Sequence, residues 1–330
     1  MNVLNALFAI VLPYAALVAF IIGFMYRVIL WACSPVPFHI PTVCGQQKSL
    51  PWIRSNKTES PSTTWGIFWR MALEIIFFRS LFRNDRTKLT DREQATYWGN
   101  KLLWFGGIIF HWSLLVILLR HLRLFFEPVP RHVTFLQNLD GFFQVFTPTF
   151  FVTDALIIIA LSYLFLRRIL NPQIRYISLI SDYFPLLLIL GIAVSGLLMR
   201  HIYRVDLVET KRFALGLVSF DPVMPKETGV IFYVHLFLVS VLLAYFPFSK
   251  LMHMGGVFMS PTRNLKNDSR AKRHINPWSY PVKTHTYDEW EEEFREAIRE
   301  AGLPLEKNKE QPLGFPASLS TIESPEKRRG

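Results

Sequence analysis

Five apolar stretches, each about 20 residues or longer, constrain the fold of this chain more than any other feature of its sequence. A helix of that length crosses a hydrocarbon core of about 30 Å, whereas the apolar segments of a soluble core are usually shorter. The stretches cover residues 3–31, 102–125, 142–166, 177–199 and 229–250. We therefore predict an all-α integral membrane bundle of five transmembrane helices.

The composition agrees with a membrane protein, because 51% of the 330 residues are hydrophobic and 15% are aromatic. Ordinary soluble domains of this size are less apolar. The first stretch has no basic leader before it and no small-residue cleavage pattern after Trp31. We expect a retained first helix rather than a signal peptide.

The distribution of Lys and Arg predicts the orientation of the bundle, since basic residues near membrane helices stay on the cytoplasmic side. With the N-terminus outside, the cytoplasmic segments are the linker 32–100, the turn 167–176 and the tail after His253, and they carry 25 of the 36 Lys and Arg residues. The net charge of +11 is thus mainly a topology signal, and we expect no nucleic-acid partner. We predict a multi-pass protein of a bacterial or archaeal cytoplasmic membrane. The predicted parts are a first transmembrane helix at 1–31, a cytoplasmic linker at 32–101, a four-helix membrane core at 102–254 and a cytoplasmic tail at 255–330.

Two further helices are predicted outside the spans. Residues 65–83 are apolar but are interrupted by Arg70, Glu74 and Arg79, which favours an amphipathic helix at the cytoplasmic interface. A short sixth span is the alternative, and it would invert the topology of everything after it. In the tail, residues 287–303 repeat large apolar side chains at helical spacing among acidic ones. This amphipathic helix either packs on its own protein or docks a cytoplasmic subunit.

Four histidines lie in or at the ends of the second and fifth predicted helices, where an unsatisfied imidazole is costly. His111 and His121 are ten residues apart, and His235 and His253 are eighteen apart. The second helix runs outward and the fifth runs inward, so only the pairs His121 with His235 and His111 with His253 match in depth. Imidazole is a common ligand of iron, and the pairs therefore predict two haem b groups, one toward each membrane surface. For any one histidine alone, a hydrogen-bonded structural role is the alternative.

The two histidine intervals are unequal in length. As continuous helices they span roughly 15 Å and 27 Å, which leaves about 12 Å to be absorbed. Helix tilt, an inclined haem plane, or a position of His253 just past the regular helix would reduce this difference. Ten residues also leave two ligands about 80° apart around a helix, whereas eighteen return them to one face.

The cysteine content limits which redox centres this chain holds. Cys33 and Cys44 are the two cysteines, both on the predicted cytoplasmic side, where a structural disulfide is not expected. The sequence has no CxxCH motif for covalent haem attachment, and two thiols cannot hold a four-cysteine iron–sulfur cluster. Any such cluster must belong to a partner.

The last helix carries a family resemblance. The segment YVHLFLVSVLLAYFPFSKLMHM, residues 233–254, resembles the final helix of the gamma subunit of respiratory nitrate reductase, including its PFS[RK]LxH ending and its eighteen-residue histidine interval. His111 and His121 resemble the two histidines of that family's second helix. Further likeness lies in LPYAALVAFIIGFMYR of the first helix and RRILNPQIR after the third. The resemblance covers about residues 1–31 and 100–260.

Three regions differ from that subunit: a longer linker before the second helix, the composition of the link 201–228, and a long tail after His253. They resemble DsrM, the diheme membrane subunit of the Dsr electron-transfer complex of sulfur-metabolising bacteria. This resemblance implies a diheme b-type cytochrome that exchanges electrons between the quinone pool and a cytoplasmic iron–sulfur subunit similar to heterodisulfide reductase. It also implies menaquinol oxidation, further membrane or extracytoplasmic redox subunits, and dissimilatory sulfur metabolism.

Several polar residues near the predicted outer ends of the helices are candidates for binding the quinone or the haem propionates. For each of them, a snorkelling cation or an ordinary loop surface is the alternative. Asp154 is the most unusual, because a carboxyl group inside a span needs a partner or a proton-handling role. The candidates are Arg120, Arg123, His132, Asp140, Asp154 and His201.

Other functions remain open at this point. A nitrate reductase-type gamma subunit fits the same histidines. A haem-free proton-relay transporter is disfavoured, because the third and fourth spans are nearly free of ionisable groups. A structural anchor for a cytoplasmic enzyme would leave the histidine intervals unexplained.

Overall fold

The computed structural model of the chain is predominantly helical and divides into two compact units, Met1–Lys272 and Arg273–Gly330. The first unit contains the long apolar helices and the second contains the helices of the tail. The structure describes residues 3–34, 45–83, 85–89, 95–141, 148–225, 228–271 and 284–306.

Five helices of 16 to 21 residues form the framework of the first unit, and each lies within or overlaps one apolar stretch of the sequence. Short helices and one hairpin fill the connections between them. In chain order the elements are α1 (Val3–Ala6), α2 (Leu12–Ala32), α3 (Thr64–Phe77), α4 (Arg79–Phe82), β1 (Asp85–Leu89), β2 (Ala95–Gly99), α5 (Lys101–His121), α6 (Arg131–Asp140), α7 (Val152–Leu170), α8 (Pro172–Ile177), α9 (Ile180–Leu197), α10 (Leu207–Val218), α11 (Val230–Tyr245), α12 (His253–Gly256) and α13 (Pro261–Asn264).

Four helices of the described chain are long and apolar enough to cross a membrane: Leu7–Ala32, Lys101–Leu124, Ile180–Ile202 and Val230–Phe248. Each extends a framework helix through a π or 3-10 turn at one end. Most of their apolar side chains are exposed or half-buried. Apolar side chains exposed over whole helices are typical of segments that face lipid, so the chain is a multi-pass membrane protein.

The third predicted span, 142–166, differs from the helix found in that region. The first residues of this span lie outside the described part of the chain, and α7 begins at Val152. α7 carries Asp154, Arg167 and Arg168 within its 19 residues. By length and composition alone, three charged side chains are too many for a membrane span of this length. The predicted bundle is therefore confirmed for four helices, and a fifth crossing at α7 stays a prediction.

Four of the framework helices pack in chain order: α7 packs between α5 and α9, and α9 also packs against α11. The first framework helix, α2, departs from this order and packs against α11. The helices α5, α7 and α9 share an apolar core. Its buried residues are Phe110, Ile157, Ala160, Leu161 and Ile189.

The linker contains the helix predicted at 65–83, but in two pieces. The Thr63 side chain caps the start of α3 by accepting a hydrogen bond from the Gly66 amide at 3.1 Å. α3 ends before Phe78, whose backbone is left-handed with φ 49° and ψ 48°, and α4 begins at Arg79. The aromatic side chains on the outer face of α3 are largely exposed, as expected for a helix on a membrane surface. Its position at the cytoplasmic interface stays a prediction.

An antiparallel hairpin connects α4 to α5, with Asp85 of β1 opposite Gly99 of β2. It is the one departure from an all-helical fold among the described elements. The sequence analysis did not predict it, because two five-residue strands of mixed polarity give only a weak periodic signal.

The second unit contains α14 (Tyr287–Glu293) and α15 (Arg295–Glu300), which lie within the helix predicted at 287–303. A capping box between Thr286 and Glu289 fixes the start of α14. The two pieces are separated at Phe294, where ψ is 13°. The docking role of this helix stays a prediction, and residues 307–330 of the tail lie outside the described residues.

Gly23 lies at a point of close approach between the first and last spans, so we predict that Gly23→Ala destabilises the bundle. A methyl group at Gly23 would lie 2.8 Å from Cβ of Pro247, which is fully buried and rigid. Overpacking of this kind costs about 1–3 kcal/mol. Thermal unfolding in detergent, followed by size-exclusion chromatography, should show a lower midpoint for this variant.

Gly191→Ala is the matched control for this prediction. Its methyl group would meet Leu238 at 3.5 Å, an ordinary van der Waals distance, so its midpoint should stay close to that of the unsubstituted chain. An unchanged midpoint for Gly23→Ala would contradict the observed packing of α2 against the end of α11.

Candidate functional site

One histidine pair consists of His111 on α5 and His253 at the start of α12. Their ring centroids lie 6.0 Å apart, and the ring planes are at 85°. Nδ1 of His111 lies 2.7 Å from the carbonyl oxygen of Gly107. Nδ1 of His253 lies 2.8 Å from the carbonyl oxygen of Lys250. The two side chains expected to form the inner pair are therefore neighbours.

The second pair consists of His121 at the end of α5 and His235 in α11. Nδ1 of His121 lies 2.7 Å from the carbonyl oxygen of Ile117. Nδ1 of His235 lies 2.9 Å from Oγ of Ser195 on the neighbouring helix α9. Of the two predicted pairs, His111 and His253 are in ring contact. The pairing of His121 with His235 stays a prediction.

One hydrogen-bond pattern fixes the tautomer of all four rings. A carbonyl oxygen only accepts, so Nδ1 carries the proton in the three rings that face a carbonyl. The Ser195 hydroxyl donates its own proton to a carbonyl of α9 at 2.9 Å, and it therefore accepts from Nδ1 of His235. With Nδ1 as the donor, Nε2 is the nitrogen that would ligate a metal in the neutral ring.

The chain between His235 and His253 is not one continuous helix. α11 ends at Tyr245, and two 3-10 turns follow, separated by Ser249, whose backbone is extended with φ −114° and ψ 175°. The estimate of roughly 27 Å for this interval assumed an unbroken helix and does not hold. The break allows His253 to lie beside His111 despite the unequal histidine intervals.

Imidazole nitrogens are a donor set that fits haem iron, and these four rings would be the ligands. No group of three or more His, Cys, Asp or Glu side chains suited to a metal ion occurs among the residues that the structure describes. Cys33 is exposed, and Cys44 lies outside the described residues.

Next to His121, a buried guanidinium lies between two carboxylates. Arg120 forms ion pairs with Asp154 on α7 and, at 3.1 Å, with Asp140 at the end of α6. Asp140 also accepts hydrogen bonds from the amide and the hydroxyl of Thr153, at 2.9 and 2.6 Å. The Arg120 side chain is 9% exposed, so its charge depends on these partners. Arg120 is thus a partner of the kind that the sequence analysis expected for Asp154.

A phenyl ring extends this charged group toward α9. The guanidinium carbons of Arg120 and Arg200 lie 3.8 and 4.4 Å from the ring centroid of Phe151. Arg200 also donates from Nε to the carbonyl oxygen of Thr149 at 3.0 Å. Arg200 and His201 both lie in the π turn that ends α9, and such a turn changes the direction of side chains relative to a regular helix.

The last two polar candidates lie toward the edge of this group. Arg123 donates from Nη1 to Oε1 of Gln137 at 2.9 Å and so contacts α6, the helix that ends with Asp140. His132 is exposed in the first turn of α6, at the opposite end from Asp140. Among the candidates, Asp140 and Asp154 contact Arg120 directly, whereas His201 lies against Phe150 and His132 is a surface histidine.

Sequence reasoning missed the residues whose role depends on packing alone. Ser195 is a small side chain in an apolar helix, and its contact with His235 is visible only once α9 and α11 are placed together. The hydrogen bond of Thr153 to Asp140 and the contact of Phe151 with Arg120 likewise become visible only once the helices are placed together. Helical periodicity and motif spacing carry no signal for such contacts.

Comparisons with known proteins find a matching family and two similar proteins. Residues 62–272 match the sequence profile of the nitrate reductase gamma subunit family. A protein of Archaeoglobus fulgidus named Hdr-like menaquinol oxidoreductase cytochrome b-like subunit is 46% identical over 282 residues, which is 83% of this chain and 84% of that protein. A protein of the same name from Archaeoglobus profundus is 44% identical over 276 residues, 81% of each chain.

The burial of Arg120 predicts that Asp154→Ala is strongly destabilising. Breaking a buried ion pair costs about 3 kcal/mol, and the loss of Asp154 leaves Asp140 as the remaining carboxylate partner of Arg120. Thermal unfolding of the purified chain in detergent should show a much lower midpoint.

The control for this loss is an exposed ion pair of the same protein. Glu127 pairs with Lys211 and its side chain is 68% exposed, so Glu127→Ala should cost less than about 1 kcal/mol. Equal midpoints for the two variants would contradict a buried charge network at Arg120.

Proposed function

The chain belongs to the nitrate reductase gamma subunit family, and from this premise we propose that it is the diheme b-type cytochrome subunit of a menaquinol-oxidising membrane complex. The observations that support the proposal are the four imidazoles, each with Nδ1 at a hydrogen-bond acceptor, and the ring contact of His111 with His253. His121 and His235 would hold the outer haem, and His111 and His253 the inner haem.

In this proposal five helices cross the membrane, with the N-terminus outside and the C-terminus in the cytoplasm. α7 is the fifth crossing, since it packs between α5 and α9 in the apolar core. Its ionisable side chains lie in its first and last turns, where Asp154 meets Arg120 and where Arg167 and Arg168 can extend toward headgroups. The excess of basic residues in the linker, the turn after α7 and the tail supports this orientation.

Haem bound at the two sites supplies one-electron transfer between the two surfaces of the membrane. The chain fixes the ligands at two depths, because α5 carries one histidine of each pair and the segment from α11 to α12 carries the other. The hydrophobic surroundings of a haem influence its reduction potential.

The charged group beside the outer pair is the proposed place for quinol and for the haem propionates. Arg120 lies next to the ligand His121 in sequence, and Arg200 approaches it from α9 through Phe151. The ring of His201 lies against Phe150. Guanidinium groups bind carboxylates well, and polar groups at an outer surface allow protons from the quinol to leave on that side. Arg123, Asp140 and Asp154 complete this group, and His132 remains a candidate at its edge.

The proposed electron acceptor is a cytoplasmic iron–sulfur subunit that resembles heterodisulfide reductase. The two relatives from Archaeoglobus are named for an Hdr-like menaquinol oxidoreductase, and they are similar over more than four fifths of this chain. Their names favour such a partner over a nitrate reductase catalytic subunit. We place the complex, with further membrane or extracytoplasmic redox subunits, in dissimilatory sulfur metabolism.

The proposed ligand pairs predict a reciprocal pattern of haem loss. His121→Ala and His235→Ala should each remove the same one of two b-type haem populations, because one haem needs both ligands. His111→Ala and His253→Ala should each remove the other. Reduced-minus-oxidised spectra combined with redox titration of the purified variants would identify which population is lost.

His285→Ala is the control, since this half-exposed histidine contacts Glu293 of the tail and should leave both populations intact. Joint loss in His121→Ala and His253→Ala of one population, with the other retained, would show that the pairing is wrong.

The hydroxyl of Ser195 predicts a further difference between the two haem sites. In Ser195→Ala the Nδ1 proton of His235 loses its acceptor, and loss of such a partner typically weakens metal binding by about 10–100-fold. Haem titration into the haem-depleted chain should therefore show weaker binding at the outer site alone.

Ser240→Ala is the matched control. Ser240 is buried on α11, the helix of His235, but its hydroxyl donates to the Leu236 carbonyl of its own helix at 2.8 Å. Equal haem affinity in Ser195→Ala and the unsubstituted chain would contradict the role given to Ser195.

A further inference from the structure

Phe78 occupies a backbone conformation that its side chain disfavours. Its φ of 49° and ψ of 48° lie in the left-handed region, where a bulky residue is a genuine outlier. Glycine would make the same break between α3 and α4 without a steric penalty. Strain of this kind persists where the surrounding structure compensates for it, and it often marks a functional position.

The broken helix is fixed to α5 by donors that bind its terminal carbonyls. The indole Nε1 of Trp112 donates to the Ile76 carbonyl at 3.1 Å, and that of Trp104 donates to the Phe77 carbonyl at 2.7 Å. These bonds satisfy carbonyl groups that the end of α3 leaves without an intrahelical partner. The two indoles lie on either side of Gly107 along α5.

The same contact brings the ring of Phe78 onto a proposed haem ligand. The ring centroids of Phe78 and His111 are 4.8 Å apart, and the rings are tilted by 54°. Leu81 of α4 packs close to Gly107, whose carbonyl holds Nδ1 of His111, and a Cβ at Gly107 would lie 3.4 Å from Leu81. The broken helix therefore packs on both the imidazole and the residue that orients it.

The segment that carries the other inner histidine is tied to the same helix. Arg263, ten residues after His253, forms a 2.5 Å ion pair with Glu74 of α3, and both side chains are largely buried. The second oxygen of Glu74 accepts from the amide and hydroxyl of Ser80 across the break, at 3.0 and 2.7 Å. One carboxylate thus connects the break at Phe78 to the chain that follows His253.

We infer that Phe78 is a positioning residue of the inner haem site, whose ring fixes the His111 imidazole and shields the haem edge from water and headgroups. The inference rests on the proposed function, since it requires His111 and His253 to hold haem. The ring is what glycine lacks, and its contact with His111 accounts for a strained phenylalanine at this break. Oxidised haem carries one more positive charge than reduced haem, so an apolar shield favours the reduced form.

The test is a redox titration of the full-length chain in the His121→Ala background, where the inner haem alone is expected to remain. Phe78→Gly keeps the left-handed break and removes the ring. We expect the ratio of oxidised to reduced haem at a given potential to rise about tenfold, a midpoint about 59 mV lower for one electron. Phe78→Tyr, which retains the ring, should restore the original midpoint. Phe77→Ala removes the neighbouring ring, which is 54% exposed, and should leave the midpoint unchanged.

Each result separates this inference from the proposed function. Loss of the inner haem from Phe78→Gly, with the outer haem retained when His121 is intact, would also support a positioning role. An unchanged midpoint, an equal shift in Phe77→Ala, or loss of both haems would overturn it, because the ring would then have no specific effect at the inner site. Absence of b-type bands from the unsubstituted chain would instead contradict the proposed function, and the inference with it.

Discussion

Every imidazole placed among apolar helices needs a partner for its Nδ1 proton, because an unsatisfied donor in such surroundings costs several kcal/mol. On α5 the partner is the carbonyl four residues earlier, at Gly107 for His111 and at Ile117 for His121. One local device thus orients two ligands on one helix. In both rings Nε2 then points away from the helix backbone as the nitrogen proposed to bind iron. The distance between the two ligands along α5 follows from the helical rise per residue alone.

The orientation of His235 and His253, in the segment from α11 to α12, depends on tertiary structure. His235 finds its acceptor on α9, so the outer site requires α9 and α11 to pack correctly. Gly196 next to Ser195 faces the same ring, and a Cβ there would lie 3.4 Å from Cε1 of His235, an ordinary van der Waals distance. The inner site depends in the same way on a break in the helix after α11, and on the linker that packs against it.

The spans and the approximate pairing of the histidines could be predicted from the sequence, because hydropathy and helical rise act over whole segments. The breaks could not be predicted. Pro247 ends a regular helix, but only the structure shows that Ser249 is extended and that His253 therefore lies beside His111. The break at Phe78 is harder still to predict, because phenylalanine is not a residue type that indicates a left-handed backbone.

For polar contacts between helices, the sequence predicted that a partner was needed but not which residue it would be. The position of Asp154 inside a span required a partner, and Arg120 with its second carboxylate, Asp140, meets that need. The identity of such partners depends on which helix faces end up together. Residues such as Ser195 and Phe151, which carry no charge and no motif, belong to the site only through that packing.

The amount of haem b bound by the purified full-length chain tests the central claim most directly. If two pairs of imidazoles each hold one haem, quantification of the extracted haem against protein should give about two per chain, with both removed when all four histidines are replaced. A value near one would contradict the two-site arrangement. Absence of haem b from the purified chain would contradict the assignment of these histidines as haem ligands.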